Sequence, residues 1–135
     1  MTEILETALY ADDLAAARRF YGTVVGLVEV TEEPGRHVFF RAGGAMLLIF
    51  RPAASAVPAA PGRIAVPTHG ARGEGHVCFV AEPLGIAGWV ERLGTHGVAV
   101  ETEVRWPHGP RSLYCRDPAG NSVEFAERAL WPIDR

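Results

Sequence analysis

Glu6, His76 and Glu124 are the residues of this chain whose types and spacing could do chemistry together. Each stands in a short alternating run: Leu5-Glu6-Thr7-Ala8-Leu9-Tyr10, Gly75-His76-Val77-Cys78-Phe79-Val80 and Ser122-Val123-Glu124-Phe125-Ala126. Strand side chains alternate between faces. The ionisable groups therefore lie opposite Leu5, Leu9, Val77, Phe79, Val123 and Phe125, which are left to pack on helices. Their same-face neighbours Ala8, Cys78, Ser122 and Ala126 are small and leave room for a ligand. Two carboxylates and a neutral imidazole balance a divalent cation and suit iron, manganese, zinc, nickel or cobalt. The expectation is one such ion per site, with three protein ligands and the remaining positions open to water and substrate, as in a catalytic centre.

The elements that must position these residues come from an internal repeat. Glu6 and His76 open its two copies at an offset of 70 residues, which also carries Leu14 onto Leu84. Without a gap, Phe39 to Phe50 lines up on Tyr114 to Phe125, so that Ile49 (or Leu48, if the register slips by one) becomes the first-copy counterpart of Glu124. Neither can coordinate. Each copy reads as strand, helix and three strands. In the first, strands fall at Ile4 to Tyr10, Leu27 to Thr31, Arg36 to Arg41 and Ala45 to Arg51. The helix runs from Leu14 to about Val24, capped by Asp12-Asp13 and ended by Gly26. In the second, the helix starts near Pro83 and buries Ile86, Val90 and Leu93 with Trp89 alongside. The strands are His76 to Val80, Val98 to Val104, Ser112 to Arg116 and Ser122 to Ala126. The fold class is therefore α+β, with two βαβββ modules forming cupped mixed sheets. Module 1 covers about 4–52, a Pro/Ala/Gly-rich linker 53–74, module 2 about 75–128, and a C-terminal tail 129–135, all within one domain.

Composition narrows the function classes. The chain has 135 residues and a net charge of −3, which gives nucleic-acid binding no electrostatic support. All its basic residues are Arg; the absence of Lys removes Schiff-base and Walker-type chemistry. Cys78 and Cys115 form no CxxC and read as reduced buried thiols, which points to a cytoplasmic protein. The N-terminus lacks a signal-peptide apolar run, and no stretch is long enough for a membrane helix. The linker, leading directly into His76, reads as a mobile cover over the cavity. In loops, His69 and His108 are candidate substrate contacts. Tyr114, ten residues before Glu124, offers a hydroxyl as donor or acid. Trp106 and Phe40 read as packing, and His37 and His96 as exposed. Taken singly, Glu6 and Glu124 would read as strand-face carboxylates paired with Arg, and His76 as a structural imidazole; their matched repeat positions favour a metal.

Three stretches carry a family resemblance: Tyr10-Ala11-Asp12-Asp13-Leu14 with Arg19-Phe20-Tyr21 and Gly26-Leu27; Gly75-His76-Val77; and Arg116-Asp117-Pro118-Ala119-Gly120-Asn121-Ser122-Val123-Glu124. With them, nearly the whole chain resembles the vicinal oxygen chelate superfamily. This group includes glyoxalase I, extradiol dioxygenases, fosfomycin-resistance thiol transferases, methylmalonyl-CoA epimerase and the metal-free bleomycin-resistance proteins. The resemblance implies metal ligands at Glu6, His76 and Glu124. Many members have His at the first of these positions, so Glu6 is a departure that weakens an oxygenase reading. Glyoxalases usually hold a carboxylate at the Leu48/Ile49 place, which this chain lacks. Fosfomycin transferases match at Ser112 and Tyr114, whose counterparts contact substrate, but carry Thr where Ala8 stands and use Lys. The implied function is a metal-dependent enzyme of glyoxalase or dioxygenase type acting on a small molecule with vicinal oxygens, with Glu124 and Tyr114 as catalytic groups. The alternative is a metal-free protein that sequesters a small molecule. Because one copy makes only an incomplete cavity and small members often exchange modules, a homodimer with shared sites is expected.

Overall fold

The alternating run around Glu6 forms a strand, β1 (Glu6–Tyr10), and Asp13 then turns the chain into a helix. The Asp13 carboxylate accepts from the Ala16 N–H at 3.0 Å, satisfying one of the donors a helix start leaves open. That helix, α1 (Leu14–Arg19), widens into a π-helical stretch over Phe20–Val25 and stops at Gly26, whose φ of 88° is the left-handed conformation that glycine adopts without a Cβ penalty. Three strands follow: β2 (Val28–Glu33), β3 (His37–Ala42) and β4 (Ala45–Phe50). A single helical turn, α2 (Pro52–Ser55), begins the linker. The second copy repeats the order as β5 (His76–Val80), α3 (Gly85–Thr95), β6 (Val100–Arg105), β7 (Arg111–Arg116) and β8 (Ser122–Ala126).

These elements come from a computed structural model that describes residues 1–133. The end of the expected tail, residues 134–135, lies outside the described residues; within the tail, Arg128–Leu130 forms a 3-10 turn and Leu130 is buried. The chain divides into two compact units, Met1–Glu74 and Gly75–Arg135. Each holds a four-stranded mixed sheet, ordered β1-β4-β3-β2 in the first and β5-β8-β7-β6 in the second. In each, the first strand pairs parallel with the last, and the other pairs are antiparallel. Both sheets carry a register shift at the corresponding place, between Glu29 and Thr31 and between Val100 and Thr102. Among the described residues no helix is long and apolar enough to cross a membrane.

Burial follows the strand alternation. In the first unit Leu9, Val38, Phe40, Leu47 and Ile49 are buried, as are Ala17, Phe20, Tyr21 and Val24 of the helix. In the second, Leu113, Cys115, Val123 and Phe125 are fully buried, with Ile86, Trp89 and Leu93 of α3. One expectation is corrected here. Trp89, rather than Val90, belongs to the buried face: Val90 is 39% exposed. The Trp89 ring stacks on Phe125 at 4.0 Å between centroids, and its indole N–H donates to the Ala81 carbonyl at 2.9 Å. That hydrogen bond lets a polar ring lie in the core and sets the rotation of the helix.

The gap-free alignment of the two copies is also corrected. Glu124 pairs with Tyr114 and Cys78, whereas Leu48 pairs with Phe39 and Ala8. Leu48, not Ile49, is therefore the counterpart of Glu124. The copies fall out of step at the turn. Arg41 pairs with Met46 directly after Ala42–Ala45, but Arg116 pairs with Ser122 after the longer Asp117–Asn121.

Candidate metal and ligand site

Within the second unit, β5 and β8 run parallel with His76 opposite Ser122 and Cys78 opposite Glu124. That register brings His76 Nε2 to 3.2 Å from Glu124 Oε1. Two anchors hold it. The Ser122 N–H donates to the Gly75 carbonyl at 2.9 Å, and the Gly75 N–H donates to Asn121 Oδ1 at 2.8 Å. Asn121 is itself held by Asp117. Asp117 Oδ1 accepts from the Ala119 and Asn121 N–H groups, and Oδ2 accepts from the Asn121 amide, each at 2.9 Å. Gly120, at φ 90°, makes the bend. The Asp117-Pro118-Ala119-Gly120-Asn121 stretch thus does a structural job that the sequence alone marked only by resemblance: it pins the start of β5 so that His76 meets Glu124.

The tautomer of His76 follows from its surroundings. Nδ1 lies 3.0 Å from the Ser122 carbonyl oxygen, which can only accept, so Nδ1 carries the proton. In the neutral ring Nε2 then presents a lone pair to Glu124 Oε1. Two acceptors 3.2 Å apart require a proton or a cation between them. Ligand bonds of about 2.1 Å to one ion would place adjacent donor atoms about 3 Å apart, so the donor pair fits a divalent metal. The His76 side chain is half exposed while that of Glu124 is buried, so an ion here would be open to solvent on the imidazole side.

Glu124 is surrounded by donors. The Ser112 hydroxyl donates to Oε2 at 2.6 Å, and the Trp106 indole N–H donates to Ser112 Oγ at 2.9 Å. Tyr114 lies across the sheet from Glu124; burial first, then the Glu124 charge, push its phenol up to about 12. The Tyr114 ring lies nearly parallel to His76, with centroids 6.4 Å apart. Cys78, expected to be buried like Cys115, is a correction: it is exposed in this chain, and only partial desolvation against the sheet, followed by the Glu124 charge, pushes its thiol up to about 12. Tyr114 and Cys78 therefore stay protonated at neutral pH and act as donors rather than bases.

The other expected residues are distributed as follows. Ser112 is fully buried, with its hydroxyl engaged between Trp106 and Glu124, so it faces the carboxylate rather than open space. Trp106 is more than packing, because its indole hydrogen-bonds Ser112. His108 is exposed on the β6–β7 turn. Glu6 belongs to the first unit, exposed at the start of β1. There it lines a groove of about 1130 Å³ whose walls include Leu48, Phe39, Phe50 and linker residues from Ala53 to His69. His69 closes against this sheet, its Nδ1 2.7 Å from the Tyr10 hydroxyl and its ring edge-on to Phe50 at 4.4 Å. His37 is a correction: it is half-buried, stacks on Phe39 at 4.0 Å, and is held below its usual pKa by burial. Among the described residues no group of three or more His, Cys, Asp or Glu side chains disposed to hold a metal is present. The second unit alone thus assembles two of the three expected ligands.

The sheet order accords with a family match. The model of the Glyoxalase/Bleomycin resistance protein/Dioxygenase superfamily matches residues 3–125. The chain belongs to this superfamily. Among solved structures of similar proteins, a lactoylglutathione lyase from Agrobacterium tumefaciens is 48% identical, with a TM-score of 0.90 and 98% of each chain covered. A glyoxalase/dioxygenase from Nostoc punctiforme is 26% identical, with a TM-score of 0.65, covering 92% of this chain and 89% of that one. A virulence protein from Salmonella typhimurium, 22% identical with a TM-score of 0.71, covers 94% and 97% and shares the fold. No curated protein sequence matches.

Proposed function

We propose that this protein is a divalent-metal-dependent enzyme of glyoxalase type, acting on a small molecule that presents two adjacent oxygen atoms. The observation that carries this reading is the His76 Nε2–Glu124 Oε1 pair, 3.2 Å apart, with the other ring nitrogen committed to the Ser122 carbonyl, so that the neutral imidazole turns its lone pair toward the carboxylate. Superfamily members generally use a divalent metal, bind small molecules and commonly form dimers, and the 48% identity to a lactoylglutathione lyase supports a thiol–ketoaldehyde hemithioacetal as the first substrate to test. His76 and Glu124 would hold the ion, with Glu6 as the third ligand from a first unit. When bound, it would supply Lewis-acid stabilisation of developing negative charge on the substrate oxygens.

The chain's own residues do the rest. Glu124 keeps Oε1 toward His76 while Oε2 is occupied by Ser112. Tyr114 offers its hydroxyl to donate to an oxygen of the bound molecule or to return a proton to it. His69 and His108 stand in loops available to the distal part of the substrate. The free thiols Cys78 and Cys115 suit a reducing cytoplasm.

The test is to purify the protein without a polyhistidine tag, measure retained iron, manganese, zinc, nickel and cobalt, and follow hemithioacetal isomerisation. Wild type should retain one ion per chain, and His76→Ala and Glu124→Ala should lose it together with turnover. No retained or reconstituted metal in wild type, combined with tight binding of an unreacted small molecule, would replace this reading with sequestration.

A further inference from the structure

We propose that Trp106 and Ser112 are positioning residues. They form a two-step hydrogen-bond relay that fixes Glu124 Oε2, leaves Oε1 as the single oxygen offered beside His76, and ties that oxygen to the β6–β7 turn. The inference rests on the reading of Glu124 as a ligand but names residues beyond it.

The relay is directional. Trp106 is a donor only, so its indole N–H must point at Ser112 Oγ, 2.9 Å away. Ser112 then has its own proton free, and it reaches Glu124 Oε2 at 2.6 Å, a short charge-assisted bond. Ser112 is fully buried and Glu124 is 5% exposed, so water cannot substitute for either partner without a cavity. With Oε2 satisfied from behind, the carboxylate cannot rotate to offer both oxygens to one ion. The register puts Ser112 opposite Ala126 and Tyr114 opposite Glu124, so Ser112 approaches the carboxylate diagonally across the sheet.

The far end of the relay is stiff. The Trp106 backbone N–H donates to the Pro110 carbonyl at 2.8 Å, and the Gly109 N–H donates to the Trp106 carbonyl at 2.9 Å. Arg105 Nη1 donates to the Gly109 carbonyl at 3.0 Å. Pro107 and Pro110 restrict the same turn. A substrate touching the exposed His108 at its tip would therefore bear on the backbone that orients the indole, giving the turn a route to the ligand oxygen.

The experiment uses the full chain, ¹⁵N-labelled, with zinc alone as the probe. The three tryptophans give three indole N–H signals, and Trp106→Phe identifies its own. In metal-free protein, Glu124→Gln should move the Trp106 signal and leave that of Trp89, which is committed to Ala81. In a Ser112→Ala background the same change should no longer move Trp106. An equal shift in both backgrounds overturns the relay. Zinc affinity by calorimetry should fall about 10- to 100-fold in Ser112→Ala, and less in Trp106→Phe. Trp106→Phe should add nothing once Ser112 is Ala, and independent losses again overturn the relay. If wild type and His76→Ala both fail to bind zinc, the proposed function fails while the indole shifts still decide the relay. If Ser112→Ala does not fold, the Glu124→Gln shift and the zinc affinity of Trp106→Phe suffice: an unmoved signal or an unchanged affinity refutes it.

Discussion

His76 spends its Nδ1 proton on the Ser122 carbonyl, and this small commitment decides what Nε2 can meet. An amide at position 124 would face Nε2 with a donor and fill the gap left by a cation, so Glu124→Gln should fold while its zinc binding by calorimetry drops below detection. A second residue-scale expectation concerns Cys115, fully buried on the helix side of β7. Burial first, then the charges of Asp117 and Glu101, push its thiol from 9.0 to about 11. Because the folded-state value is raised, the associated stability is intact below about pH 9 and is lost as the pH rises through about 11. Urea midpoints taken between pH 8 and 11 should fall more steeply in wild type than in Cys115→Ala, which removes this contribution and leaves the other alkaline groups in place.

At the scale of elements, the turn between β7 and β8 matters more than its exposure suggests. Asn121 is 2% exposed and bridges Asp117 to the Gly75 N–H. Asn121→Ala should cost about 1–3 kcal/mol by urea unfolding. It should also weaken zinc binding without touching a ligand, because β5 loses the anchor that sets His76 opposite Ser122. The first unit offers a matching case. His69 is tied to Tyr10 through its side chain and to the Ser55 carbonyl through its N–H. Arg72 pairs with Asp12, and Arg63 with Glu33. The linker is therefore clasped to its own sheet. Tyr10→Phe should raise hydrogen exchange at His69 while Leu47, deep in the sheet, stays protected.

At the scale of the whole molecule, each unit is a module with its own sheet and core, and Glu6 lies in one while His76 and Glu124 lie in the other. A three-ligand site therefore needs two modules, from one chain or from two. The linker is long enough in extended form for either, at about 3.3 Å per residue. We expect a two-fold homodimer in which Glu6 of one chain completes the His76–Glu124 pair of its partner. Co-refolded Glu6→Ala and His76→Ala proteins should regain half of the wild-type zinc sites per mixed dimer. No recovery would assign the whole site to a single chain.

Read alone, the sequence determined the repeat, the strand and helix order and the face on which Glu6, His76 and Glu124 stand. Those features follow from local periodicity, capping by Asp13 and the need for Gly at the helix end. It could not choose between Leu48 and Ile49 as the partner of Glu124, because that depends on one extra residue in the Asp117–Asn121 turn. Nor could it find Trp106, which reads as packing until its indole meets Ser112. It placed Val90 in the core where Trp89 belongs, since helical spacing permits both and only the Ala81 carbonyl selects one. Pattern reports which way a side chain points. Which atoms it meets depends on register and on hydrogen bonds between strands far apart in the chain, and these exist only once the sheet has closed.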